Sequence, residues 1–138
     1  MRTDDATARR VLTDSRCWAV VGASNDPWRS SHSVAAFLLE RGYDVIPVNP
    51  SYDTVLGLRC YPRLADVPRP VDVVDLFRRS EDAGAHVDEA VAIGAKAVWA
   101  QLGVFPDEAA LERARAAGLT VVVNRCPAQD IPALLGAA

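Results

Sequence analysis

Five short apolar runs punctuate the chain: Cys17 to Val21, Asp44 to Val48, Val71 to Phe77, Ala97 to Leu102 and Thr120 to Val123. None shows the strict apolar/polar alternation of a strand with one wet face, so each reads as a strand covered on both sides, as in a parallel sheet. Between the runs the apolar spacing becomes helical: Val34, Phe37 and Leu38; then Val87, Ala90, Val91 and Ile93; then Ala110, Leu111 and Ala114. Gly42, Gly94 and Gly118 follow these segments, where a helix ends on a left-handed residue before the chain turns into the next strand. Strand and helix alternate throughout. The pattern predicts a doubly wound α/β sandwich, a five-stranded parallel sheet with helices on both faces and ligand contacts at the carboxyl ends of its strands.

Two segments stand outside this alternation. Asp5 to Asp14 reads as an additional N-terminal helix packed on one face. The stretch from Asn49 to Asp72 is rich in Pro, Gly and Tyr and has room only for a short helix near Leu64 to Val67, so it reads as irregular chain in place of a crossover helix. With 138 residues, no repeat and no second hydrophobic pattern, the expectation is one domain spanning 1–138.

Composition narrows the partners. A net charge of −3 argues against a nucleic-acid footprint, which would show as a basic domain or stripe. No apolar run reaches the length of a membrane span, and the acids and arginines of the first ten residues do not form a signal peptide. Cys17, Cys60 and Cys126 lie apart, without the Cys/His spacing of a zinc site, so no metal is expected and a reducing cytoplasm is the plain reading.

The strand ends carry the candidate chemistry. After the first strand come Gly22, Ala23 and Ser24, then Arg29 and the serines Ser30 to Ser33 at a helix start. One glycine admits close approach of an anion, and the helix start offers N–H groups, although the serines could equally serve as caps. The second strand ends in Val48, Asn49 and Pro50, where a dinucleotide site would place an acid for the ribose hydroxyls, and that weighs against NAD or FAD. Asn49 can hydrogen-bond a sugar or base. After the third strand Phe77 offers an apolar wall and Arg78 and Arg79 planar donor forks, with Ser80 read as the cap of the next helix. Gln101 ends the fourth strand; an amide in an apolar run needs partners. His32 lacks a neighbouring nucleophile or orienting acid and does not read as a catalytic base.

The blocks VVGAS, RSSHSVAAFLLERGYDVIPVNP, LGLRCYPRLADVPRPVDVVDLFRR, AIGAKAVWAQLGV and VVVNRCP, taken in order, resemble the small stand-alone CoA-binding proteins. These are similar to the CoA-binding N-terminal domain of the succinyl-CoA synthetase alpha subunit. The resemblance implies a Rossmann-like fold and a bound coenzyme A or acyl-CoA. It places Gly22, Ala23, Ser24, Arg29 and Ser30 by the CoA phosphates, Asn49 and Pro50 by the adenosine, Phe77 and Arg78 along the groove and Gln101 at its far side. It implies no ligase or kinase activity, because the phosphohistidine of the synthetase belongs to a domain without a counterpart in this sequence. The tail departs from the family: Asn124 stands before Arg125 and Cys126 where relatives often carry Asp, and the KxEH-like stretch that follows in relatives is replaced.

Cys126, at the predicted ligand edge beside Arg125, raises the idea of a mixed disulfide with the CoA thiol, against the plainer reading of a small buried hydrophobe. The expected function is non-catalytic CoA or acyl-CoA binding. The alternatives are a component of an NAD- or other nucleotide-binding enzyme, or an interaction protein whose groove is empty. No nucleic-acid or membrane partner is expected, and nothing in the sequence names a protein partner.

Overall fold

A computed structural model of the protein describes residues 1–136. Its elements run α1 (Asp5–Asp14), β1 (Cys17–Val21), α2 (Ser30–Glu40), β2 (Asp44–Val48), β3 (Thr54–Val55), β4 (Leu58–Arg59), a 3₁₀ turn (Leu64–Asp66), β5 (Val73–Leu76), α3 (Ser80–Ala92), β6 (Ala97–Ala100), α4 (Glu108–Ala116), β7 (Thr120–Val123) and α5 (Pro127–Asp130), the last continuing into a wider π turn (Ile131–Leu135). Five strands form a parallel sheet in the order β2-β1-β5-β6-β7, and β3 and β4 form a separate antiparallel hairpin. This is a Rossmann-like α/β fold.

Because side chains alternate across each strand, the sheet supports two cores. Trp18, Val20, Val73, Trp99 and Val122 face α1, α2 and α5, whereas Ala19, Val21, Val74, Leu76, Val98 and Val121 face α3 and α4. Trp18 and Trp99 are fully buried, with ring centroids 5.4 Å apart, and fill the first core. Gly42, Gly94 and Gly118 have φ of 88°, 74° and 92°, the left-handed stops expected of them. Among the described residues no helix is long and apolar enough to cross a membrane.

Three readings of the sequence are corrected. The run Val71 to Phe77 yields a strand only at Val73–Leu76, and Ala97 to Leu102 only at Ala97–Ala100; Val71 and Gln101 are buried but lie in loops. The stretch after Asn49 contains the β3-β4 hairpin, closed by Leu56 and Gly57 with φ of 54° and 73°. Positive φ at both central residues is what a tight hairpin matching the strand twist requires. Ser80 does not cap α3: its hydroxyl accepts the Phe105 N–H at 2.9 Å and so ties the β6-α4 loop to the start of that helix.

Candidate functional site

Strand order fixes the place where a ligand can enter. β1 leads through α2 to β2 on one side and β5 leads through α3 to β6 on the other, so the chain departs in opposite directions and opens a crevice between the ends of β1 and β5. Gly22 forms its floor. Its N–H donates to the Val48 carbonyl at 2.9 Å, and the Phe77 N–H donates to the Val21 carbonyl at 2.9 Å, which stitches three strand ends together. Gly22 has φ of 89°, and a Cβ there would lie 2.5 Å from the Phe77 carbonyl oxygen. Both the backbone conformation and the close approach therefore require glycine.

The loop after Gly22 is held by its own polar groups. Ala23 is fully buried, and its carbonyl accepts from Asn49 Nδ2 at 2.8 Å. Ser24 Oγ accepts the Asp26 N–H at 3.0 Å, and the Ser24 carbonyl meets His32 Nδ1 at 2.9 Å. Asn25 Nδ2 donates to the Thr54 carbonyl at 2.7 Å, which docks the loop on the hairpin. α2 then begins at Arg29 with no side-chain cap and no acidic residue in its first turn. The serines are not caps: Ser33 Oγ donates to the Ser30 carbonyl at 3.1 Å. Among the described residues the Ser30 and Ser31 N–H groups thus have no partner, while those of His32 and Ser33 donate to the Arg29 carbonyl at 3.0 and 3.3 Å, and no acidic side chain of the first turn offsets the positive end of the helix dipole.

A cleft of about 610 Å³ runs from this helix start along the sheet edge. Gly22, Arg29, Ser30, Phe77, Arg78 and Gln101 all line it, and its distal end is formed by Leu102, Val104, Cys126, Ala128 and Gln129. A smaller recess of about 190 Å³ shares the Gly22, Arg29, Phe77 and Arg78 walls and adds Ser24, Asn49 and Tyr52. Pro50 lines a third cavity, about 230 Å³, with Val21, Val48, Pro62 and Leu64 on the opposite face of the sheet. Arg78 borders all three spaces, and its Nε is buried without a hydrogen-bond partner. Arg79 also lines the main cleft, but it is engaged by Asp82 at 3.2 Å. Among the described residues neither Arg29 nor Arg78 has a carboxylate partner, so two guanidinium groups are available to an anion at this edge.

Two buried polar pairs support the cleft from below. Asp75, in the centre of β5, is fully buried, and desolvation pushes its pKa well above the usual carboxylate range. One terminal atom of the Gln101 amide lies 2.9 Å from its Oδ1 and 3.2 Å from its Oδ2. Arg125 forms the second pair, donating from Nε and Nη2 to Asp130 at 2.7 and 2.9 Å, with Asp5 at 2.9 Å from Nη1. The hydrogen bond to Asp130 is the main reason the Arg125 pKa is raised. The guanidinium that drew attention to the neighbouring Cys126 thiol is thus already engaged by two carboxylates. Cys126 itself is 8% exposed at the far end of the cleft.

Of the ten residues expected from sequence, six meet in the main cleft, Ser24 and Asn49 meet in the adjoining recess, Pro50 stands apart, and Ala23 is fully buried and lines none of these spaces. Asn49 works chiefly within the protein, since its Oδ1 also accepts the Ser51 N–H at 2.9 Å. Sequence reasoning passed over Tyr52 and Asp75. For Asp75 a signal existed: it is a charged residue inside the apolar run VDVVDLF. Tyr52 carried none, because its position depends on the hairpin.

Comparison with known proteins places this architecture. The chain is 36% identical over 121 residues to the uncharacterized protein YneT of Bacillus subtilis (strain 168), covering 88% of this chain and 89% of that one. A hypothetical protein from Pyrococcus horikoshii OT3 superposes with a TM-score of 0.91 at 42% identity, over 97% of this chain and 94% of that one. The dinucleotide-forming acetyl-coenzyme A synthetase 1 of Ca. Korarchaeum cryptofilum, in complex with phosphate and ADP, matches 76% of this chain at 32% identity and a TM-score of 0.67, but this chain spans only 25% of the synthetase chain. The resemblance read from the strand-end blocks is borne out: a family model described as a CoA binding domain matches residues 16–132, and the chain belongs to that CoA binding domain family.

Proposed function

We propose that the protein binds coenzyme A or an acyl-CoA at the carboxyl edge of its sheet and carries out no reaction on it. The carrying observation is the convergence at Gly22 of an uncapped helix start with Arg29 and Arg78, two guanidinium groups without carboxylate partners. Phosphates of the ligand sit over Gly22 against the first turn of α2, where N–H groups and the helix dipole favour negative charge. The adenosine lies toward Asn49 in the adjoining recess, and the pantetheine arm follows the cleft past Phe77 to Gln101 and Cys126.

The absence of chemistry rests on the side chains that reach the ligand. His32 is turned onto the Ser24 carbonyl and His86 is paired with Glu89 beside the cavity on the other face, so neither stands over the main cleft as a general base. The three cysteines are free and buried, which fits a reducing compartment.

Calorimetry on the purified protein with CoA, acetyl-CoA, dephospho-CoA, NAD and ATP tests the reading. CoA is expected to bind, and Arg29→Ala and Arg78→Ala are each expected to weaken it by roughly tenfold or more, the usual scale for a charge-assisted hydrogen bond. Preference for NAD would favour a nucleotide-binding enzyme component, and indifference to all five ligands would leave a fold with an empty groove.

A further inference from the structure

Asp75 is an unusual occupant of its position. It lies between Val20 of β1 and Trp99 of β6 in register, on the face covered by α1, α2 and α5, and its carboxyl group is fully buried. An ionised carboxylate there would need a cation or several N–H donors, since the desolvation cost of a bare buried charge is far larger than one amide hydrogen bond returns. Arg125, the buried cation of that face, is occupied elsewhere, paired with Asp130 and Asp5, and His32 meets the Ser24 carbonyl. Burial alone acts on the Asp75 pKa, with no neighbouring charge contributing.

Among the described residues, the only side chain in hydrogen-bond reach of Asp75 is Gln101, and the protonation of Asp75 decides which way that amide turns. A carboxylate accepts only, so it would hold the Gln101 Nε2 inward and leave Oε1 facing the cleft. A neutral acid donates its O–H to Oε1 across the same 2.9 Å and leaves the NH₂ facing the cleft. Gln101 lines the main cleft beyond Phe77, away from the helix start that takes phosphate.

We propose that Asp75 is a positioning residue: as the neutral acid it fixes the Gln101 amide with its NH₂ toward the cleft, where it donates to a carbonyl oxygen of the ligand's pantetheine arm. This deepens the reading of the site as a CoA site and rests on it. It adds a recognition element for an amide or thioester carbonyl, separate from the arginines that take phosphate.

Asp75→Asn supplies an N–H donor that never ionises, so CoA affinity should stay within about threefold of wild type. Asp75→Leu removes the donor without leaving a buried charge but leaves the buried Gln101 amide without its partner, so thermal unfolding of this variant is measured alongside its binding. It should weaken CoA roughly tenfold while leaving adenosine 3′,5′-bisphosphate, which lacks the pantetheine arm, unchanged. Infrared difference spectra of wild type against Asp75→Asn at neutral pH should show one protonated-carboxyl band, with or without ligand. Absence of that band overturns the inference, as does CoA binding that is indifferent to Asp75→Leu or a bisphosphate that weakens equally. If neither ligand binds wild type, the reading of the site as a CoA site falls as well, a result distinct from the other three.

Discussion

α2 and α4 both begin at the carboxyl edge of the sheet, yet they are finished differently. α4 starts on Asp107, whose carboxylate accepts the Ala110 N–H, and Glu108 follows in its first turn. α1 repeats the arrangement with Asp4 and Asp5. In both, a negative side chain satisfies a free N–H and answers the helix dipole. α2 starts on Arg29, with no side-chain cap and no acid in its first turn. α3 is intermediate: Arg79 stands at its cap position, but Glu81 and Asp82 lie in its first turn and Arg79 pairs with Asp82. Only at α2, among the described helices of eight residues or more, is the N-terminus left with its full positive end, and that is the one beside Gly22. Side-chain caps are present at the starts of α1 and α4 and absent at the helix start that opens on the crevice.

The largest effect should come from closing the crevice at its floor. Gly22→Ala puts a Cβ 2.5 Å from backbone at a φ of 89°, so the strand ends must separate. A loss of about 2–4 kcal/mol in denaturant unfolding is expected, with CoA binding abolished. Gly118→Ala is the control: φ is 92° there but a Cβ meets nothing within 4 Å, so only the backbone strain of about 1 kcal/mol should appear. Equal losses at the two glycines would mean that the close approach to Phe77 is unimportant.

Next in size is a change that turns α2 into a copy of α4. Arg29→Asp installs a carboxylate at the cap position, where it should accept a first-turn N–H and stabilise the fold by about 0.5–1 kcal/mol. The same change removes a guanidinium and sets a negative charge against the ligand phosphates, so CoA affinity should fall about a hundredfold or more. Stability and binding thus move in opposite directions. A variant that lost both would show that Arg29 serves the fold and not the ligand.

How much of this contrast was legible in the sequence differs from element to element. β1, β2, β7 and α1 were readable to their terminal residues, because apolar runs or helical spacing stop abruptly at Gly22, Asn49, Asn124 and Ser15. The runs at Val71 to Phe77 and Ala97 to Leu102 overshoot their strands because burial continues beyond the ladder: Val71 and Gln101 are covered by loops. The β3-β4 hairpin was illegible, since strands of two residues have no periodicity and its turn places Leu56 where Asn or Gly would normally announce positive φ. Gly22, Arg29, Phe77, Arg78 and Gln101 could be placed at one edge because the strand ends are sequence-local facts. The difference between capped and uncapped helices could not: Ser30 to Ser33 look like caps as residues, and only the geometry shows that Ser33 bonds back to the Ser30 carbonyl. Asp75 shows the same limit from the inside, as its partner Gln101 becomes a neighbour only through the pairing of β5 with β6.

The smallest expected effect tests the other half of the comparison. Asp107→Ala removes the cap of α4, whose Oδ1 accepts the Ala110 N–H at 2.7 Å, and should cost about 1 kcal/mol in thermal or denaturant unfolding. Asp107 lines neither the main cleft nor the adjoining recess, so CoA affinity should not change. The result carries weight because α4 also approaches α3, where Asp107 Oδ2 is 3.3 Å from the position a Cβ would take on Gly84. If helix packing rather than capping were the main role of Asp107, Asp107→Leu, which fills the space but cannot accept the Ala110 N–H, would behave like wild type; if capping dominates, it behaves like the alanine variant. If capping dominates, Asp107→Asn retains most of the stability, because the side-chain carbonyl still accepts the Ala110 N–H, and only the dipole contribution of a few tenths of a kcal/mol is lost. A fall in CoA affinity in any of these variants would break the proposed division between capped helix starts that serve the fold and an uncapped one that serves the ligand.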